Sequence, residues 1–125
     1  MRGSRHVPPT AITVMDLIAA WAISYTRGAG DQNPVAFAAH AQIVLAGIHP
    51  FADGNGRTCH LVNNALLLEN HYPPALYSLT ARSAYLSALQ RAQGHPDPAP
   101  FITVTATATE GMLDRWLHHA DANAP

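Results

Sequence analysis

The chain has 125 residues, of which 48% are hydrophobic and 12% are charged, and its formal net charge is −1. This composition excludes a disordered chain, and no apolar run reaches the roughly 18 to 20 residues of a membrane span. All of the basic residues are arginines and none form a basic stripe, so charge gives no case for a nucleic-acid polymer as partner.

The compartment is predicted from two features. Residues 1–9 lack the apolar core of a secretory signal peptide. The single Cys59 cannot form an internal disulfide, which is typical of a reducing compartment. We therefore expect one soluble domain in the cytoplasm, either of the producing cell or of a cell into which it is delivered.

Helical spacing of apolar residues marks the first half of the chain. Thr10 is a good N-cap for a first helix, which ends at residues 28–30, and Asn33 with Pro34 opens a second helix that breaks at Pro50. The predicted inward residues of the first helix are Val14, Leu17, Ile18, Trp21 and Tyr25. Those of the second are Phe37, Ala41, Val44 and Ile48.

Two more helices are predicted in the second half. The third runs from about Arg57 to Asn70 and stops before Pro73, and the fourth is capped by Thr80 and ends at Gly94. The predicted buried face of the third comprises Leu61, Ala65 and Leu68, widened by Val62 and Leu66. That of the fourth comprises Ala84, Leu86, Leu89 and Ala92. Three prolines then predict a rigid connector: Pro96, Pro98 and Pro100.

The last segment carries two conflicting patterns. Residues 102–107 alternate like a strand and are rich in β-branched side chains, whereas apolar residues from Phe101 to Trp116 keep a helical register. An isolated strand would have nothing to pair with, so we predict a helix with Trp116, like Trp21, in the core. The predicted fold class is all-α, a small helical bundle.

Residues 49–57, between the second and third helices, read His-Pro-Phe-Ala-Asp-Gly-Asn-Gly-Arg. Gly54, Asn55 and Gly56 stand where a helix begins, so free backbone N–H groups and the positive end of the helix dipole face the loop. Two glycines let an anion approach closely. Arg57 can fork onto phosphate oxygens. This is the pattern of a phosphate cradle.

Three other side chains complete the predicted chemistry of the loop. Asp53 would repel phosphates unless a divalent cation such as Mg²⁺ bridged them. A neutral His49 could accept a proton from an incoming hydroxyl. Phe51 is expected to turn inward and anchor the loop. Together these groups indicate equipment for phosphate-group transfer.

Each piece of this loop also has a purely structural interpretation. Asp-Gly-Asn-Gly is a common turn, an Asp before a helix is usually a cap, and a histidine after an apolar helix is more often structural. The nine residues in this order between two helices favour function instead.

The loop resembles the signature of the Fic family, His-x-Phe-x-(Asp/Glu)-Gly-Asn-(Gly/Lys)-Arg-x-x-Arg, and residues 49–57 match every named position. Residues 5–9 are similar to the end of the family's flap, and similarity continues over nearly the whole chain. The resemblance implies one Fic-like helical domain over 1–125. It would comprise a flap remnant at 1–9, a core at 10–74 and C-terminal helices at 80–120.

The resemblance also implies an activity, the Mg²⁺-dependent transfer of AMP from ATP to a Ser, Thr or Tyr hydroxyl of a target protein. His49 would be the general base and Asp53 would hold Mg²⁺ against the phosphates. The anion hole would consist of Gly54, Asn55 and Gly56, and Arg57 would bind the outer phosphates. Gly56 stands where kinase-like relatives have Lys, which favours AMP transfer.

Three departures from the family pattern bear on this activity. The second motif arginine is replaced by His60, which could contact a terminal phosphate only when protonated. The chain begins inside the flap. No inhibitory Ser/Thr-x-x-x-Glu motif is present, because Ala106 precedes Glu110 by four residues. The resemblance leaves room for a separate inhibitory protein as a partner.

Two alternatives to the transferase follow from these departures. One is a catalytically weakened module that binds a nucleotide or a partner protein. The other is an enzyme with a different phosphate-linked donor.

Overall fold

The computed structural model describes residues 11–78, 81–94 and 97–123. Every element assigned within these ranges is a helix, which confirms the all-α prediction. The predicted flap remnant and the predicted caps Thr10 and Thr80 lie outside the described residues. The helices are α1 (Ala11–Thr26), α2 (Pro34–Ile48), α3 (Asn55–Glu69), α4 (Arg82–Gly94) and α5 (Ala99–Ala122).

Helix α2 is the centre of the bundle and contacts each of the other four helices. Its alanines allow this, because small side chains let neighbouring helices approach closely. Four of them are buried: Ala38, Ala39, Ala41 and Ala46. One core cluster joins α2 to α3 and α1, and a second joins α2 to α4 and α5 around Phe101.

The start of α2 confirms the predicted cap. The Asn33 side-chain oxygen accepts hydrogen bonds from the N–H groups of Val35 (2.9 Å) and Ala36 (3.2 Å), and Pro34 takes the first helical position. A cap of this kind typically stabilises a helix by about 1 kcal/mol. The cap fixes where α2 begins and therefore the position of the residues at its C-terminal end.

The predicted inward faces of α3 and α4 were only partly right: Leu66 and Leu89 are buried, and Val62 and Ala92 are partly buried. Leu61, Ala65 and Leu68 are exposed, and the face of α3 turned towards the core comprises Asn55, Cys59, Asn63, Leu66 and Leu67. Two residues of this face, Asn55 and Asn63, are polar, so apolar periodicity does not reveal the face. On α4, Ala84 and Leu86 are exposed, whereas the buried residues are Tyr85, Ala88 and Leu89.

Three further side chains depart from the predicted core. Leu17 on α1, Val44 on α2 and Trp116 on α5 are 39%, 42% and 49% exposed. Trp21, by contrast, is partly buried and donates its ring N–H to the Ala41 carbonyl oxygen at 2.9 Å.

Helix α5 confirms the helical interpretation of the last segment. The helix begins at Ala99, so Pro100 lies in its first turn and not in the connector, where we had predicted it. Proline is tolerated in a first turn because the N–H that it lacks would have no partner within the helix there. Thr105 and Thr109 are buried along the same face as Phe101, so packing outweighs the strand preference of β-branched residues. Among the described residues, no helix is long and apolar enough to cross a membrane.

Candidate functional site

The loop between α2 and α3 is held by Asn55. Its side-chain oxygen accepts the Phe51 N–H at 2.9 Å, and its amide N–H donates to the Phe51 carbonyl oxygen at 2.6 Å. Asn55 itself is only 9% exposed. Phe51 does not anchor the loop with its ring, as we predicted, because that ring is 50% exposed. The anchor is the buried Asn55 side-chain amide, which forms hydrogen bonds with the backbone of Phe51 and not with its side chain.

The start of α3 presents unpaired N–H groups. The first helical hydrogen bond runs from Thr58 N–H to the Gly54 carbonyl oxygen at 2.9 Å. Within the described part of the chain, the N–H groups of Asn55, Gly56 and Arg57 therefore have no acceptor. Gly54 takes φ 84°, which favours glycine, and a Cβ at Gly56 would meet no protein atom within 4 Å. The cradle is open to an anion.

His49 closes α2 in an unusual conformation. Its φ of 54° and ψ of 60° are left-handed, and its N–H donates to the Leu45 carbonyl oxygen at 3.1 Å. Non-glycine residues adopt this region at a cost, and such residues concentrate at functional sites. The turn places the half-buried His49 on the wall of the same cleft as the cradle.

Asp53 and Arg57 form a loose pair. The distance from Arg57 Nη2 to Asp53 Oδ2 is 3.7 Å, and the two side chains are 81% and 95% exposed, respectively. A pair this exposed contributes little to stability. Asp53 Oδ1 also accepts the Gly54 N–H at 2.8 Å. Both charged groups are accordingly available to a ligand that enters the cleft.

The residues around Asp53 fit Mg²⁺ only as part of a complex with phosphate. No group of three or more His, Cys, Asp or Glu side chains that could hold a metal occurs among residues 11–78, 81–94 and 97–123. Mg²⁺ commonly binds one or two carboxylates together with substrate phosphates. One accessible carboxylate beside a phosphate cradle matches that arrangement.

A cleft of about 690 Å³ brings the predicted site residues together. This volume lies within the range of small-molecule sites. Its wall includes every residue that the sequence assigned to the site: His49, Asp53, Gly54, Asn55, Gly56, Arg57 and His60. The sequence analysis gave no role in the site to four further residues of this wall: Asn64, Tyr77, Arg82 and Tyr85.

An aromatic cluster surrounds His60 on that wall. The His60 ring stacks on Tyr85, with 4.7 Å between centroids and 26° between planes, and lies 5.4 Å from Tyr77. Burial and the nearby Arg82 charge lower the pKa of His60 below its ordinary value of 6.5. At neutral pH His60 is therefore an uncharged ring and not a substitute for arginine.

The missed wall residues left only partial signals in the sequence. Arg82 lies in the first turn of α4, the same unusual place that drew attention to Arg57. Tyr85 was given no role in the site, because the predicted inward face of α4 did not include it. Its hydroxyl accepts a hydrogen bond from the buried Gln42 amide. Asn64 accepts the Ala75 N–H at 2.9 Å, a contact between distant segments that local patterns do not predict.

Cys59 lies beside this cluster as a packing residue. It is 2% exposed, and burial raises the pKa of its thiol to about 11. A thiol that stays protonated at neutral pH is not a nucleophile.

The lowered pKa of His60 makes the stability of the fold depend on pH. Below about pH 6.5 the unfolded chain takes up a proton at His60 more readily than the folded chain does, so stability is lost as pH falls. We expect the urea midpoint to drop between pH 7.5 and 5.5 by more in the unaltered protein than in His60→Gln.

A matched control for this pH test is His118→Gln, which removes an exposed histidine of α5. Carboxylates titrate mostly below this window, and the neighbouring Tyr77, Tyr85 and Cys59 have raised pKa values, so the difference isolates His60. An identical pH dependence in all three proteins would contradict the assignment.

Comparisons with known proteins agree with this geometry. The sequence matches the Fic/DOC family over residues 1–67. It is 37% identical over 117 residues to a protein adenylyltransferase Fic of Nematostella vectensis, and 39% identical over 115 residues to one of Aedes aegypti. These alignments cover 91% and 90% of this chain but only 27% and 22% of those proteins.

Solved structures give the same result for the fold. Two structures of Fic-1 from C. elegans superpose with TM-scores of 0.79 and 0.78 at 26% and 28% sequence identity. They match 94% and 91% of this chain, which corresponds to 35% and 34% of theirs. The motif loop, the helical fold and the family match lead to one conclusion: the chain belongs to the Fic/DOC family.

Proposed function

We propose that this chain transfers AMP from ATP to a hydroxyl side chain of a target protein. The observation that carries the proposal is one cleft that holds both a candidate base, His49, and an open phosphate cradle at the start of α3. The adenylyltransferase relatives support the same activity, although this chain spans about a quarter of their length.

The reaction assigns one role to each residue of the loop. His49 takes the proton of the target hydroxyl while the hydroxyl oxygen forms a bond to the α-phosphorus of ATP. The bond between the α-phosphorus and the oxygen that bridges to the β-phosphate breaks, so that pyrophosphate leaves. The N–H groups of Asn55, Gly56 and Arg57 hold phosphate oxygens, and the Arg57 guanidinium binds the outer phosphates. Asp53 would hold Mg²⁺, which neutralises phosphate charge when bound.

The test is mass spectrometry of the purified chain after incubation with ATP and Mg²⁺. We expect an adduct of AMP on the chain itself or on an added hydroxyl-bearing protein. Loss of the adduct when ATP is replaced by AMP would show that the energy of the phosphoanhydride is used. ATP binding without any adduct would contradict the transferase and favour the alternative function.

That alternative is a module that binds a nucleotide without transferring AMP. The uncharged state of His60 favours it, because the position of the second motif arginine then lacks a cation. An enzyme that uses another phosphate-linked donor is a further outcome of the same experiment, seen as an adduct of different mass. The proposed partners are the target protein that receives AMP and a separate inhibitory protein. The proposed location is the cytoplasm.

Mg²⁺ binding is expected to require the nucleotide and Asp53 together, because one carboxylate alone holds Mg²⁺ weakly. Calorimetric titration should show Mg²⁺ binding to the protein with ATP but not to the protein alone, and Asp53→Ala should weaken the ternary complex. Asp97→Ala, which removes an exposed carboxylate outside the cleft, is the control. Tight binding without nucleotide, or binding unchanged in Asp53→Ala, would argue against this role.

A further inference from the structure

The cleft contains a second arginine, which lies outside the motif loop. Arg82 is the first residue of α4 and lines the same cleft as the α3 loop. Its backbone N–H donates to the Ser78 carbonyl oxygen at 3.1 Å, which fixes the start of the helix at the rim. The side chain is thus attached to a rigid element.

Arg57 and Arg82 occupy equivalent places on their helices. Each lies in a first helical turn that contains no acidic residue, where the helix dipole disfavours a cation. Arg57 has only the loose contact with Asp53, and Arg82 pairs with no carboxylate within the described ranges. Two such arginines facing one cleft indicate an anionic ligand between them.

The charge balance of the cleft points the same way. Asp53 is the one acidic residue on its described wall, against two arginines and the unpaired first-turn N–H groups of α3. His60 lies on the wall of the cleft in contact with Tyr77 and Tyr85, and its half-buried ring is close enough to Arg82 for that charge to act on it. A positive charge on this side of the cleft therefore comes from Arg82.

We propose that Arg82 supplies the second phosphate-binding cation of this site, in place of the arginine that the family motif has at position 60. The inference rests on the proposed function. Arg82 contacts the outer phosphates of ATP from the α4 side, while Arg57 contacts them from α3. His60 and the two tyrosines form an uncharged wall between these contacts.

The experiment is calorimetric titration of ATP and of AMP, each with Mg²⁺, into the full chain at pH 8. Arg82→Ala should weaken ATP binding by about 10- to 100-fold, the range of a lost hydrogen bond to a charged group, and AMP binding by less than about two-fold. Arg82→Lys should be intermediate, because lysine keeps the charge without the fork.

The matched control is Arg91→Ala, which removes the same charge from the same helix at a residue outside the cleft. Equal effects of Arg82→Ala and Arg91→Ala on ATP binding would overturn the inference. So would a loss in Arg82→Ala that is as large for AMP as for ATP, since only ATP has outer phosphates.

Arg57→Ala separates this inference from the proposed function. ATP binding that weakens in Arg57→Ala but not in Arg82→Ala overturns the role of Arg82 and leaves the proposed function standing. ATP that does not bind the unaltered chain overturns both. Weakening in both variants, with Arg91→Ala unchanged, supports both.

Discussion

Replacing His49 by asparagine should lower the rate of AMP transfer by about 10²- to 10⁴-fold, the usual cost of losing a general base. Asparagine suits the test better than alanine because His49 is left-handed, with φ 54°, and asparagine tolerates that region while alanine does not. The cradle of α3 does not depend on the His49 ring, so ATP affinity should remain close to that of the unaltered chain.

Three measurements make the His49 result interpretable. Transfer is followed by mass spectrometry, ATP binding by calorimetry and folding by the urea midpoint. His49→Ala should lose transfer as well but also some stability, and His118→Asn, on the exposed part of α5, should leave transfer unchanged. Full transfer by His49→Asn with ATP and Mg²⁺ would show that the proposed mechanism is wrong.

The α3 half of the cleft could be predicted because its chemistry is continuous in sequence. A helix start, two glycines, an aspartate and an arginine within residues 49–57 act through neighbouring backbone groups, so their order alone indicates an anion cradle. The structural role of the Asn55 side chain in holding the loop was nevertheless missed. Its buried amide binds the backbone of Phe51, and sequence analysis assigned the anchoring to the Phe51 ring instead.

The other half of the cleft could not be predicted because tertiary packing creates it. Arg82 and Tyr85 reach His60 only when α4 packs against α2, and the inward face of α4 differed from its apolar pattern. Tyr77 comes to His60 from the segment that precedes α4. The buried face of α3 includes Asn63, and that of α2 includes Gln42. Polar residues that bury through specific partners do not show in hydrophobic periodicity.

The same contrast between pattern and packing separates the two large aromatic residues of α5. Sequence analysis put Phe101 and Trp116 in one helical register and predicted Trp116 in the core, but Phe101 is 0% exposed and Trp116 is 49% exposed. Phe101 lies 5.5 Å from the Tyr85 ring, between α5 and the aromatic wall of the cleft. Its removal would leave a cavity in the cluster that joins α2, α4 and α5.

Phe101→Ala should therefore lower the free energy of unfolding by about 3 to 5 kcal/mol, the typical cost of truncating a buried phenylalanine. Trp116→Ala removes a larger side chain but should cost under about 1 kcal/mol, because half of it already faces solvent. The measurement is urea unfolding of both variants, compared where the dependence of the unfolding free energy on urea concentration is the same. Phe101→Ala should also weaken ATP binding more than Trp116→Ala does, since Tyr85 loses its support beneath His60. Equal destabilisation by the two variants would mean that α5 is held by its C-terminal half, against the burial that places Phe101 at the centre of the cluster.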